Sequence, residues 1–187
     1  MSRVEAQGGR NKESVMYFLP TILAIGIVAW TGESISMAAP NAATYKLNVT
    51  PHTNLKKGQI VKVTGSGFAK NSPGSILECS DAPGQPTINF LGNKKDAIPV
   101  SCSNPLGKIV TTTNSGKIGS TSFTIETGVT GPPEKVVDSA GHNASTDAKE
   151  YPCPPTSAQL RAGVQCEIRF GDAVYNEASQ NINFAVK

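Results

Sequence analysis

Gly58-Gln59-Ile60-Val61-Lys62-Val63-Thr64-Gly65-Ser66-Gly67-Phe68 is the stretch on which the reading of the fold turns. Ile60, Val61 and Val63 are β-branched and suit a pleated surface, and Lys62 and Thr64 alternate with apolar positions. A strand buried on one face is the expectation. Gly65 and Gly67 then interrupt it, which suits a bulge or a close approach of backbones. Pro73-Gly74 reads as a turn, and Ser75-Ile76-Leu77-Glu78-Cys79 as the return strand. Strand, glycine corner, strand and cysteine predict the front half of a β-sandwich.

Upstream, Thr44 to Pro51 alternates polar and apolar residues. Tyr45, Leu47 and Val49 are expected to face the core, with Pro51 ending the strand. Before it, Arg3, Arg10 and Lys12 precede an apolar run from Val15 to Trp30, and small residues follow from Ser36 to Ala43. Basic, apolar, small is the order of a secretory signal peptide, so residues 1–38 read as a signal segment. Ser36-x-Ala38 fits the cleavage site, leaving residues 39–187 as one exported domain without stable membrane association. The rival is an uncleaved anchor, for which the run is short and interrupted by Pro20. The formal net charge is +3, with lysines and arginines scattered. That argues against a nucleic-acid surface.

The four cysteines, Cys79, Cys102, Cys153 and Cys166, all lie beyond the signal. An even number in an exported chain argues for two disulfides. Three pairings are formally possible. The sequential one, Cys79–Cys102 and Cys153–Cys166, is favoured because each bond staples one local loop. Each closure contributes about 3 kcal/mol, mainly by restricting the unfolded chain. A cysteine-based metal site has no support: there is no CxxC, and His52 and His142 lie far from any cysteine.

Between the first two cysteines, Thr87 to Asn93 reads as a short strand, with Ala97 to Cys102 returning and Pro99 confining the return to an edge. Ile88, Phe90 and Leu91 on this tethered loop either plug the core or line a pocket. Further on, Lys108–Thr113 is β-prone, Asn114-Ser115-Gly116 is a turn, and Lys117–Thr130 gives a strand with Phe123, Ile125 and Val129 on one face. Glu134–Glu150 is polar and reads as an exposed loop or loose hairpin, and Tyr151–Gly163 as another loop. Val164, Cys166, Ile168 and Phe170 alternate with polar residues. After a turn over 173–180, Ile182, Phe184 and Val186 close the sheet. About seven short strands separated by Gly, Pro and Asn turns predict an all-β, immunoglobulin-like sandwich.

The mature region also resembles a known family. The resemblance rests on Ala38-Ala39-Pro40, Val49-Thr50-Pro51, Val61-x-Val63-x-Gly65-x-Gly67, Cys79 and Cys102-x-Asn104-Pro105. It continues through Asn114-x-Gly116, Ser120–Ile125, Cys153 and Cys166, Gly171-Asp172-Ala173, Asn176 and Ile182-x-Phe184. In order and cysteine placement these are similar to the neocarzinostatin family of secreted apoproteins that carry enediyne chromophores. The resemblance implies a seven-stranded immunoglobulin-like barrel with sequentially paired cysteines and a side cleft. In that family the cleft holds an apolar, aromatic chromophore, shields it from water and thiols, and does no chemistry on it, and the resemblance implies the same here. Antibacterial activity and contact with DNA come only through the cargo. By position, the resemblance implies that Glu167 and Gly171 stand on the cleft floor and that Ile88, Phe90 and Leu91 form a wall. Phe90, Phe123, Phe170 and Phe184 read as core residues first, and Phe170 and Phe90 are the first to reassign to that wall.

No catalytic set accompanies these features. GxSxG is absent, a serine triad lacks a suitably spaced histidine, and no phosphate loop occurs. Asp172 is expected to cap a turn. No cofactor is required, although an enediyne-like chromophore is an expected ligand, and a monomer is the expected state. The alternative to a carrier is an extracellular structural or adhesive module that contacts a protein or glycan through loops 80–101 and 134–150.

Overall fold

The computed structural model describes residues 44–89, 97–103, 107–132 and 136–185. In chain order its strands are β1 (Lys46–Thr50), β2 (Ile60–Ser66), β3 (Pro73–Ser80), β4 (Thr87–Asn89) and β5 (Ala97–Pro99). They are followed by β6 (Lys108–Thr111), β7 (Ile118–Thr124), β8 (Cys166–Asp172) and β9 (Glu177–Ile182). One sheet has the order β1-β2-β7, the other β6-β3-β8-β9, and β4-β5 is a separate ribbon. All ladders within the sheets are antiparallel. Seven strands thus form an immunoglobulin-like sandwich, and the ribbon is inserted between β3 and β6.

The opening stretch behaves as its alternation requires. Val61 and Val63 are fully buried, and Ile60, on the other face, is 61% exposed. They share a core with Val49, Leu55, Ile76, Ile125, Ile168 and Phe170. Removing each such side chain from water contributes about 1.5–3 kcal/mol. At Gly65 both expected reasons for glycine coincide. The register with β7 shifts between Val63 and Gly65, and a Cβ there would sit 2.8 Å from both the Lys46 carbonyl and Ile118. Gly67 has φ +93°, and its hypothetical Cβ would lie 2.6 Å from the Thr44 carbonyl. This corner directs Phe68 inward, stacked on Tyr45 at 5.8 Å and edge-on to Phe170 at 4.7 Å.

Both disulfides form in sequential pairing, Cys79–Cys102 and Cys153–Cys166, and no cysteine is free. The first ties the end of the ribbon to β3.

Several local expectations are corrected. Pro73 and Gly74 open β3 instead of forming a turn, with Pro73 opposite Thr111. Proline is tolerated at a first strand residue. β2 and β3 are therefore no hairpin, because the chain crosses from one sheet to the other. β7 ends at Thr124, and Val129 is 46% exposed, since the chain there turns through Gly128 to bridge Cys153. The polar segment after 135 is not an open loop. Val137 bridges Asn143, Asn143 caps a helical turn α1 (Ala144–Asp147), and a 3₁₀ turn (Ala148–Glu150) follows. Its Ala144 and Ala148 are buried against Ile88 and Val100. A second turn, α2 (Ser157–Arg161), begins with a Thr156/Gln159 capping box. β9 starts at Glu177, earlier than expected, because the preceding turn is tight. Val186 lies outside the described residues. Among those residues no helix is long and apolar enough to cross a membrane.

Candidate functional site: a cleft on the outer face of the four-stranded sheet

A strand has two faces, and the period of two decides what each can do. On β8, Cys166, Ile168 and Phe170 face the core, so Glu167, Arg169 and Gly171 face outward. Register carries this across to β3, where Ser75, Leu77 and Cys79 oppose Gly171, Arg169 and Glu167. Ile109 of β6 lies opposite Ser75, and Glu177 of β9 opposite Gly171. The ribbon rises beside this face, with Ile98 packed on Leu77 and the Cys79–Cys102 disulfide.

Between ribbon and sheet lies a cleft of about 320 Å³. Leu77, Ile98, Ile109 and Tyr175 give it apolar walls, while Ser75, Arg169 and Glu177 supply polar points. Such a volume, mostly apolar with few polar anchors, is at the small end of small-molecule sites. Gly171 sets its depth. A Cβ there would meet nothing nearer than Glu177 Cγ at 3.6 Å.

Among the described residues, the cation on the floor, Arg169, is already matched. Arg169 donates from Nη2 to Glu167 Oε1 at 2.8 Å and from Nε to the same oxygen at 3.0 Å. Glu167 is buried, so this pair is partly desolvated and holds the guanidinium in place. Beside it, Asp172 organises the β8–β9 turn as expected. Its Oδ1 accepts from the Val174 and Asn176 amides, and Oδ2 from the Ala69 amide and the Asn176 side chain. Burial alone raises the Asp172 pKa, but these donors outweigh it and hold the carboxyl below its usual range. The same turn keeps Tyr175 at φ +68°, uncommon for a bulky side chain, and presents its ring to the cleft.

Glu78, the inward neighbour of Leu77, is fully buried. Burial first, then the nearby Glu126 charge, push its pKa up to about 8, against the opposing hydrogen bond from the Glu126 amide to Oε2 at 2.8 Å. Its Oε1 has no partner among the described residues.

The expected site residues separate. Gly171 lines the cleft floor. Glu167 lies on the same sheet face, with its carboxylate committed to Arg169. Phe170 does not belong to the wall: it is 0% exposed in the sandwich core, because alternation from Cys166 turns it inward. Ile88 is not a lining residue either. It is buried behind the ribbon with Val100, Ala144 and Ala148. Phe90 and Leu91 lie outside the described residues. Leu77, Ile98, Ile109, Arg169 and Tyr175 were not singled out from the sequence. Alternation could have found Leu77 and Arg169, whereas nothing local marks Tyr175. Among the described residues, neither imidazole is hydrogen-bonded to a serine hydroxyl; the His142 ring is hydrogen-bonded to Asp147, at 3.1 Å.

The neocarzinostatin family profile matches residues 47–165, more than half of the chain. Among solved structures, macromomycin is similar at 21% identity, with 76% of this chain and 100% of that chain covered and a TM-score of 0.47. Apokedarcidin in solution is similar at 21% identity, with 76% and 99% covered and a TM-score of 0.45. No curated protein matches the chain. On the extent of the family match, the chain belongs to the neocarzinostatin family.

Proposed function

We propose that the protein is a secreted, non-catalytic carrier that sequesters an apolar small molecule of the enediyne-chromophore type in the outer-face cleft. The observation that carries this reading is the open, apolar-walled space of about 320 Å³ between the ribbon and the four-stranded sheet. Family membership supplies the class of cargo. The mechanism is equilibrium burial: the walls remove apolar ligand surface from water, and the fixed Arg169–Glu167 pair and Glu177 orient whatever polar groups the ligand presents. Any effect on DNA or bacteria then belongs to the released ligand. An adhesive module would be better served by a cleft filled with its own side chains. Export with removal of residues 1–38 is part of the proposal, and N-terminal sequencing of the exported protein checks it.

The function is tested by titrating the protein with an enediyne chromophore or a stable aromatic analogue while following tyrosine fluorescence. Saturable one-to-one binding is expected, and Gly171→Leu, which fills the floor, is expected to abolish it without lowering the melting temperature. Absence of saturable binding, or binding indifferent to Gly171→Leu, overturns the assignment.

A further inference from the structure

Asp138, His142 and Asp147 meet on the segment that supports the ribbon, and none of them lines the cleft. We propose that these three side chains form a binding site for a divalent first-row transition-metal ion, with Zn²⁺ as its representative. One carboxylate oxygen from each aspartate and one ring nitrogen of His142 all lie within 4.8 Å of one another. The backbone builds this juxtaposition. Asp138 donates its N–H to the His142 carbonyl at 3.0 Å and accepts at its carbonyl from Gly141, closing a tight loop. Asp138 Oδ1 accepts from the amides of Ala140 at 2.9 Å and His142 at 3.1 Å. Asp147 arrives from α1, its Oδ2 3.1 Å from His142 Nδ1.

The second observation is an orphaned oxygen. Asp138 is 6% exposed, and its Oδ2 is buried without a hydrogen-bond partner among the described residues. A buried carboxylate oxygen left unpaired is costly, and a cation removes that cost. Among the described residues, neither aspartate is ion-paired with a basic side chain other than His142. Imidazole with two carboxylates is a nitrogen–oxygen donor set suited to Zn²⁺ and its neighbours. Donors about 2.0–2.2 Å from such an ion sit roughly 3.3 Å apart in a tetrahedron. The present spacing needs a closure of an ångström or so, and the largely exposed His142 ring can supply it. Three protein ligands leave a fourth position open to water. The site lies beside the ribbon: Ser139 exchanges two hydrogen bonds with Thr87 of β4, at 2.8 and 2.9 Å. Ala148, next to Asp147, packs beneath it with Ile88. A bound ion would clamp loop and helical turn together under the ribbon.

The test is titration of the full chain with Zn²⁺ by calorimetry, alongside proton NMR of its two imidazoles, His52 and His142. One saturable equivalent is expected, with the His142 resonances shifting and those of His52 unmoved. Replacing a ligand should weaken binding by more than the roughly 10–100-fold that follows loss of a supporting partner. His142→Ala changes an exposed side chain and should leave the fold intact; Asp138→Asn and Asp147→Asn test the other ligands. No saturable binding at millimolar Zn²⁺, equal perturbation of both histidines, or affinity unchanged in His142→Ala would each overturn the proposal.

Discussion

The two faces of β8 carry different kinds of information. Inward, Cys166, Ile168 and Phe170 are 0% exposed and locked against the opposite sheet. Outward, Glu167, Arg169 and Gly171 carry an ion pair and a missing side chain beside an open cleft. The inner face specifies that there is a sandwich, and the outer face specifies what it can hold. Substitutions on the two faces should therefore separate stability from binding.

The largest expected effect is on the inner face. Phe170→Ala should cost about 3–5 kcal/mol, read as a fall in the denaturation midpoint, because it removes an aromatic against which Phe68 packs edge-on. If that loss were small, the distinction between faces would fail at its strongest point.

Glu78 tests the same face through pH. Its folded pKa of about 8 lies above the ordinary 4.5, so between those values the folded protein keeps a proton that the unfolded chain has released. Stability should fall as pH rises through this window, at a limiting slope of about 1.4 kcal/mol per unit. Glu78→Gln should flatten that slope between pH 5 and 8, and denaturation at several pH values measures it.

Paired glycines sharpen the comparison further. A Cβ at Gly74 would lie 2.5 Å from the Gly171 carbonyl and from the Phe170 ring, whereas one at Gly171 finds ordinary contacts. Gly74→Ala should cost about 1–3 kcal/mol by overpacking. Gly171→Ala should be neutral or slightly stabilising in thermal melts. The smallest expected effect on stability is that of Ile109→Ser at the cleft wall. Ile109 is 72% exposed, so the change should stay within about 0.5 kcal/mol while weakening ligand binding severalfold.

Much of the sandwich was legible because its strands are half-buried and alternate. Val61 and Val63, or Ile168 and Phe170, reveal a face without any partner being known. The same rule, followed one step further, excludes Phe170 from a wall that holds Gly171, since neighbouring strand residues face opposite ways. Pro73-Gly74 misled because the residues of a turn also serve at the start of a strand. Tyr175 and Ile109 were invisible because their proximity depends on register and on a turn fixed by Asp172, which are tertiary facts. The helical turns at 144–147 and 157–161 are too short to show a helical period. Asp138, His142 and Asp147 match no cysteine-based metal spacing, and only the fold of 138–147 brings them together.

The ribbon stands on an apolar cluster of its own, Ile88, Val100, Ala144 and Ala148, distinct from the main core. Such a patch can open sub-globally while the sheets stay closed, and amide exchange should be faster in β4 and β5 than in β2 or β8. The consequence is for admission. For the carrier proposed above, a guest wider than the resting mouth would not wait for the protein to unfold; it would need only the flank to lift, and the pace of loading and unloading would follow that local breathing.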